Sequence, residues 1–131
     1  MELDDKKIIE LLRLVKLEAI KDEIVQNVPG GYQNLIQIIT ALAAEPKILL
    51  LDEPTGGLNP EEIHQVANLI SQIRDLGIAI LLVEHNMQVI MGICDRIVVL
   101  NHGQKIAEGT PPEIKSNEDV IEAYLGSEEI A

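Results

Sequence analysis

Apolar positions in the first third of the chain recur at helical spacing. From Ile8 to Val15 they alternate with charged residues, which predicts an amphipathic helix with one solvent-facing side. A short helix is expected from about Ile20 to Val25, followed by a loop from Asn27 to Gly31. The stretch from about Gln33 to Ala44 then predicts a helix that ends before a proline. This order places the pair Gly30–Gly31 at a helix N-terminus.

Two unbroken aliphatic runs follow, and acidic residues come directly after each. The runs from Ile48 to Leu51 and from Ile78 to Val83 have the composition of parallel strands buried on both faces. Between them, Asn59 is placed to cap a helix that has Pro60 at its first position and ends at Gly77. The alternation of strand and helix predicts an α/β fold with a parallel sheet and flanking helices.

The rest of the chain predicts a helix, a hairpin and two short helices. Asn86 is placed to cap the helix. The segments Ile97–Leu100 and Lys105–Ala107, joined by the turn Asn101–Gly103, predict a β-hairpin at the edge of the sheet. The last short helix is expected to reach Leu125.

Composition excludes several classes of function. Ten Lys and Arg residues against 22 Asp and Glu give a formal net charge of −12, which opposes binding to a phosphate backbone, so no nucleic-acid partner is expected. No apolar run approaches the roughly 20 residues that span a bilayer, so no direct membrane insertion is expected and any membrane role would come through a partner. Cys94 is the sole cysteine, which excludes an internal disulfide and fits a reducing cytoplasm.

The ends of the two aliphatic runs carry the candidate chemistry. A rigid strand can hold Asp52 toward a Mg²⁺ on nucleotide phosphates and Glu53 toward an attacking water. His85 closes the neighbouring strand, where its imidazole can hydrogen-bond a γ-phosphate. The alternative interpretation is a pair of ordinary strands that end in surface acids and a structural histidine.

The two strand ends, with sequences LLLDEP and LLVEH, resemble those of ABC-transporter ATPases, and the similarity runs from about Leu3 to Gly126. The motifs occur in family order: residues 28–33 (VPGGYQ) match the signature, Asp52-Glu53 the end of Walker B, residues 56–59 the D-loop and His85 the switch histidine. The resemblance implies that Glu53 is the catalytic base, His85 a second catalytic residue and Asp52 the metal ligand. The nucleotide-contacting residues that it implies are Gly30, Gly31, Gln33 and Asn59.

This resemblance also implies the architecture and the partners. The expected fold is a partial P-loop NTPase fold that lacks the N-terminal Walker A half, with residues 1–44 as a remnant of the helical subdomain and residues 45–131 as the C-terminal part of the ATPase core. ATP and Mg²⁺ would be bound in the complete assembly. The expected partners are the missing N-terminal half or a second ATPase subunit, and transmembrane permease subunits. The location would be cytoplasmic, peripheral on the inner face of the cell membrane.

The segment from Glu84 to Gly126 looks most like the branch that energises branched-chain amino-acid importers, with the lipopolysaccharide-export ATPase as a near relative. Two departures from the family pattern matter. No Gly-x-x-x-x-Gly-Lys-Ser/Thr motif occurs, so the chain alone is expected to bind ATP poorly. Pro29 replaces the signature serine, which removes a hydroxyl and a backbone N–H and is expected to weaken phosphate binding there.

Three functional hypotheses follow. The first is an ATPase part that hydrolyses ATP, for transport across a membrane, only when complemented by a Walker A half. The second is a non-catalytic interaction module, or a broken-gene remnant, that kept the fold but cannot bind ATP alone. The third is a DNA-repair or chromosome-maintenance ATPase, which shares the motifs but not the transporter-like ending of this chain.

Overall fold

The computed structural model describes residues 5–14, 21–22 and 30–125. The chain divides into two compact units, Met1–His85 and Asn86–Ala131. The elements in chain order are α1 (Asp5–Leu14), α2 (Gly30–Leu42), β1 (Ile48–Asp52), α3 (Pro60–Asp75), β2 (Ala79–Val83), α4 (Met87–Ile93), β3 (Ile97–Asn101), β4 (Gln104–Gly109), α5 (Pro111–Lys115), α6 (Glu118–Val120) and a π-helical turn (Ile121–Leu125). The helix predicted around Ile20–Val25, and the loop residues up to Pro29, lie outside the described residues except for a turn at Lys21–Asp22.

The first unit contains a two-stranded parallel sheet and the helices that cover one of its faces. Strands β1 and β2 pair in register from Ile48 opposite Ala79 to Asp52 opposite Val83. Helix α2 contacts both β1 and α3. The predicted parallel α/β arrangement is therefore confirmed. The buried core of this unit consists of Leu35, Ile38, Ile39, Leu42, Ala43, Leu49, Leu51, Val66, Leu69, Ile70 and Ile73.

The other face of this sheet is open and apolar. Side chains alternate along a strand, so β1 directs Leu49 and Leu51 into the core and directs Ile48 and Leu50 away from it. Across β2, Leu81 and Val83 are exposed in the same way, and these four side chains are between 54 and 69% exposed. The burial on both faces that the aliphatic runs alone predict is therefore wrong, because the described residues supply helices for one face only. An exposed apolar face is the expected result where the N-terminal half of the fold is lacking, and the exposure of these side chains agrees with it. The four residues are called the open face below.

Helix α3 begins with the capping arrangement that its sequence predicts. The Asn59 side-chain oxygen accepts a hydrogen bond from the Glu62 N–H at 2.9 Å, and a Glu62 carboxylate oxygen accepts one from the Asn59 N–H at 3.2 Å. Pro60 occupies the first turn, where its missing N–H costs nothing. Gly77, with φ of +91°, lies just past the C-cap and lets the chain turn toward β2.

Gly31 lies where this capping glutamate meets the start of α2. A methyl group at Gly31 would stand 2.6 Å from the Glu62 Cδ and 2.8 Å from its Cγ, well inside van der Waals contact. Gly31 is buried, whereas Gly30 is exposed and has no neighbour within 4 Å of the same position. Two adjacent glycines on one helix therefore have opposite tolerance for a side chain.

We expect Gly31→Ala to lower the free energy of unfolding by about 1 kcal/mol, because the added methyl displaces Glu62 from the capping box. Gly30→Ala is the matched control and should be neutral or stabilising, since alanine favours a helix over glycine. Urea denaturation of both variants measures the difference. In a Glu62→Ala background the Gly31→Ala penalty should disappear. Equal stability of the two single variants would contradict the close contact.

The second unit contains the predicted hairpin. Strands β3 and β4 are antiparallel, from Ile97 opposite Gly109 to Asn101 opposite Gln104. Both turn residues, His102 and Gly103, have positive φ, which matches the right-handed twist of the strands. The described strands pair only as β1–β2 and β3–β4, so the hairpin forms a sheet of its own and the predicted position at the edge of the parallel sheet is wrong.

The short helices α5 and α6 contact strand β4 of this hairpin. The Asn86 side chain caps α4 by accepting from the Val89 N–H at 3.2 Å, as predicted. On the hairpin surface, the Lys105 ammonium lies 2.8 Å from Glu108 and holds the pKa of that carboxyl below its usual range. In the described part of the chain, no helix has the length and apolar character needed to cross a bilayer. The core of this unit consists of Val89, Ile90, Ile97, Val99, Ala107, Ile114 and Val120.

Candidate functional site

Two carboxylates lie at the C-terminal end of β1. Asp52 is the last residue of the strand and pairs with Val83 of β2. The Glu53 N–H donates to the Val83 carbonyl at 2.7 Å, which continues the pairing one step beyond the strand. Both carboxylate side chains are exposed. The strand therefore fixes the backbone of this acidic pair and leaves its side chains accessible.

The backbone turns sharply at Glu53. This residue has φ of +48°, a left-handed conformation that costs a non-glycine residue about 1 kcal/mol or more. The turn continues with the Gly56 N–H donating to the Glu53 carbonyl at 3.1 Å. Such local strain persists only where surrounding contacts hold it. Glu53 thus leaves the strand in a defined and energetically costly direction.

His85 lies at the end of the neighbouring strand. It follows β2 by two positions, and its N–H donates to the Glu84 carboxylate at 3.2 Å. Because β1 and β2 are parallel, their C-terminal ends meet at one edge of the sheet. The structure therefore brings Asp52, Glu53 and His85 to the same edge, while their chemical roles remain predictions.

The other predicted nucleotide-contacting residues lie at two helix N-termini. Gly30 and Gly31 begin α2, and Gln33 is half-buried in its first turn. Asn59 is the N-cap of α3, and its side-chain oxygen is engaged by the Glu62 N–H. The contact of Glu62 with Gly31 places these two helix starts next to each other. Val28 and Pro29, the first signature positions, lie outside the described residues.

Two polar contacts near the carboxylates were not predicted from the sequence. Thr55, which is 4% exposed, donates its hydroxyl to Glu84 at 2.7 Å, and Asn34 donates its amide N–H to the Pro54 carbonyl at 2.8 Å. These residues are 29 and 20 positions apart in the chain, so no local pattern links them. One signal was available in the sequence. Thr55 is a polar residue that comes shortly after a strand end and directly after a proline, and a buried polar residue needs a hydrogen-bonding partner.

The strand-end residues fit part of a Mg²⁺-nucleotide site. Mg²⁺ binds hard oxygen ligands and often takes only one or two carboxylates from the protein, with substrate phosphates and water completing its shell. Asp52 provides such an exposed carboxylate. Within residues 5–14, 21–22 and 30–125, no three or more His, Cys, Asp or Glu side chains gather into a metal cage. The donor set therefore suits a metal shared with a nucleotide.

Two family models match the sequence. One, described as ABC transporter, matches residues 3–56, and the other, described as branched-chain amino acid ATP-binding cassette transporter, matches residues 104–130. The first match includes Asp52, Glu53 and the helix that begins at Gly30. The second lies within the second unit.

Curated proteins of the same kind are similar over much of the chain. A high-affinity branched-chain amino acid transport ATP-binding protein from Salmonella typhimurium is 48% identical over 101 residues, which cover 76% of this chain and 40% of that protein. A lipopolysaccharide export system ATP-binding protein from Escherichia coli is 36% identical over 119 residues, which cover 91% of this chain and 49% of that protein. The chain thus spans less than half the length of either relative.

The chain also matches about half the length of similar solved structures. An ATP-binding cassette of an ABC transporter in its ADP conformation has a TM-score of 0.84 and 28% identity, over 97% of this chain and 52% of that one. A nucleotide-free ATP-binding cassette from an ABC transporter has a TM-score of 0.81 and 31% identity, over 93% of this chain and 50% of that one. About half of each of these cassettes has no counterpart in this chain.

Proposed function

The chain belongs to the ATP-binding proteins of ABC transporters. From this premise we propose that it supplies the residues that hydrolyse ATP, while another polypeptide segment supplies the phosphate-binding loop. The observation that carries the proposal is the position of Asp52, Glu53 and His85 at the C-terminal ends of adjacent parallel strands. Ligands of open α/β sheets bind in the crevice at that end. The second hypothesis, a non-catalytic module, gains no support from this arrangement.

Each strand-end residue has a distinct role in the proposed reaction. Asp52 would contribute a carboxylate oxygen to Mg²⁺ bound with ATP, which neutralises charge on the phosphates. Glu53 would orient the attacking water and accept its proton. His85 would donate a hydrogen bond to an oxygen of the γ-phosphate as negative charge shifts during transfer. The exposure of all three side chains supports these roles, because each must reach a ligand outside the chain.

The helix starts would serve a second nucleotide site. Gly30 and Gly31 offer backbone N–H groups at the positive end of the α2 dipole, and Gln33 lies in the same turn. Asn59 begins the adjacent α3. We assign these residues to contacts with a nucleotide that is held mainly by a second ATPase subunit. Pro29 weakens this site, since it offers no N–H.

The open face supports the need for a complementing segment. Four large aliphatic side chains stand exposed on one side of a parallel sheet, an arrangement that ordinarily packs against other elements. The relatives and cassettes that match are about twice as long as this chain. A segment equivalent to their unmatched part would cover the open face and supply the glycine-rich loop and lysine. In this scheme residues 1–44 belong to a helical subdomain and residues 45–131 to the ATPase core.

The proposed cellular role is transport of branched-chain amino acids. The match of residues 104–130 to the branched-chain model and the 48% identity to a branched-chain transport protein support this substrate over lipopolysaccharide. The ATPase would work on permease subunits, peripheral on the cytoplasmic face of the membrane. ATP hydrolysis would then drive conformational change in the permease.

We expect the isolated chain to bind Mg-ATP only weakly and to show no appreciable ATP hydrolysis, because Asp52 can share a metal but no motif in the sequence cradles the β- and γ-phosphates. Isothermal titration calorimetry and a phosphate-release assay measure the two properties. Tight, stoichiometric binding of Mg-ATP by the purified chain would overturn the proposal that another segment supplies the phosphate-binding loop.

Addition of a Walker A segment from a related cassette should restore hydrolysis. The control is the same segment with its phosphate-binding lysine replaced by alanine, which should associate with the chain but leave it inactive. Association with both segments and hydrolysis with neither would favour the non-catalytic module.

A further inference from the structure

We propose that Glu84 is a positioning residue: its carboxylate holds the turn Glu53–Gly56 against the end of β2 and thereby fixes Glu53 relative to His85. This inference rests on the proposed function, since it concerns the same reaction. Glu84 is the residue between the end of β2 and His85, and none of the roles assigned above involves it.

The evidence begins with the donors around this carboxylate. One oxygen of Glu84 accepts the Thr55 hydroxyl at 2.7 Å and also lies 3.4 Å from the Thr55 backbone nitrogen. The other oxygen accepts the His85 N–H at 3.2 Å. A hydroxyl that donates to a charged carboxylate makes a short, strong hydrogen bond. A single side chain therefore joins the turn after β1 to the residue that ends β2.

The turn that Glu84 holds is the one that carries the strained glutamate. Glu53 has φ of +48°, and Thr55 lies two residues further along the same turn. On the opposite side, the Asn34 amide N–H donates to the Pro54 carbonyl at 2.8 Å, which ties the turn to α2. The turn is thus held from two sides, and of these two side chains only Glu84 also bonds the backbone of His85.

The same contacts favour Glu53 over Glu84 as the proton acceptor. Both of its oxygens already accept hydrogen bonds from this chain, and the side chain is half-buried. Glu53, by contrast, has an exposed side chain. The two acids therefore have different roles. Glu53 is free to face the ligand, and Glu84 holds the backbone of the turn that carries Glu53. Loss of Glu84 should slow the chemical step without removing a group that touches ATP.

The first test needs no nucleotide. Amide hydrogen exchange of the full chain should show faster exchange at residues 55 and 56, by about ten-fold, in Glu84→Ala and in Thr55→Val, because each variant removes the hydrogen bond to a charged group that holds the turn closed. Thr55→Ser keeps the hydroxyl and should stay near the wild-type rate. The double variant Glu84→Ala, Thr55→Val should exchange no faster than either single variant. Unchanged exchange in both single variants would overturn the proposed contact.

The second test uses the complemented ATPase. Glu84→Ala should lower kcat about ten-fold and leave KM for ATP within about two-fold, and Glu84→Gln should recover part of kcat because its amide oxygen still accepts the Thr55 hydroxyl. Glu61→Ala, which removes an exposed acid of α3, is the matched control and should change neither constant. Equal kcat, or a KM that rises as much as kcat falls, would overturn the positioning role. If the wild-type assembly hydrolyses nothing, the proposed function fails, while the exchange result still decides whether Glu84 holds the turn.

Discussion

Glu53→Gln should abolish ATP hydrolysis by the complemented assembly while Mg-ATP binding stays close to the wild-type affinity. Glutamine has nearly the shape of glutamate but cannot accept the proton of the attacking water, and loss of a general base costs a factor of about 10²–10⁴ in rate. Single-turnover phosphate release and equilibrium nucleotide binding measure the two effects separately. Retained turnover in this variant would show that Glu53 is not the base.

Two comparisons make this prediction specific. Glu61→Gln removes the charge of another exposed glutamate in the same unit and should leave turnover unchanged. Asp52→Asn should instead raise the Mg²⁺ concentration needed for activity, because it weakens a metal ligand and spares the base. A Glu53→Gln variant that lost nucleotide binding as well as hydrolysis would indicate structural damage rather than loss of the base.

Leu50→Glu should block association with a Walker A segment, with an affinity at least about 100-fold lower than that of the wild type. Leu50 lies in the middle of the open face and is 69% exposed in this chain. A charge there costs little in the isolated chain, but its burial without a partner in the assembly would cost several kcal/mol, and about 2.8 kcal/mol already corresponds to 100-fold. A pull-down or titration of the labelled segment measures the affinity.

The matched control for this variant is Leu76→Glu. Leu76 is 66% exposed and belongs to the same unit, but it lies at the end of α3 and not on the sheet. Both variants add one negative charge to a chain that already carries a net charge of −12. A general electrostatic effect would lower both affinities equally, whereas an interface on the open face predicts loss for Leu50→Glu alone. Equal affinities in all three proteins would place the interface elsewhere.

Features determined by neighbouring residues were predicted from the sequence. The capping box of α3 involves Asn59, Pro60 and Glu62, which are close in the chain, so their identities were sufficient. The two aliphatic runs predicted two parallel strands, and the C-terminal ends of parallel strands lie together. Asp52 was therefore expected near the end of the strand that precedes His85. In both cases the physical cause acts over a few residues or through regular strand pairing.

Features determined by distant contacts were not predicted from the local sequence. An aliphatic strand has the same sequence whether its second face is covered or not, so Ile48 and Leu50 alone do not reveal the open face, and an exposed apolar face is expected only from the lack of the N-terminal half. The hydrogen bond between Thr55 and Glu84 joins residues 29 positions apart, and only the folded chain brings them together. The left-handed backbone of Glu53 was also missed, because glutamate has no preference for that conformation.

The backbone conformation of Glu53 carries a consequence for directed evolution. Glycine adopts positive φ without the steric penalty that glutamate bears, so a selection for thermal stability alone should favour glycine at this position. A selection that requires ATP turnover should keep the glutamate and recover stability at other sites. The residue found at position 53 after selection would then show whether the selected variants had been chosen for stability or for turnover, because hydrolysis and stability favour different residues there.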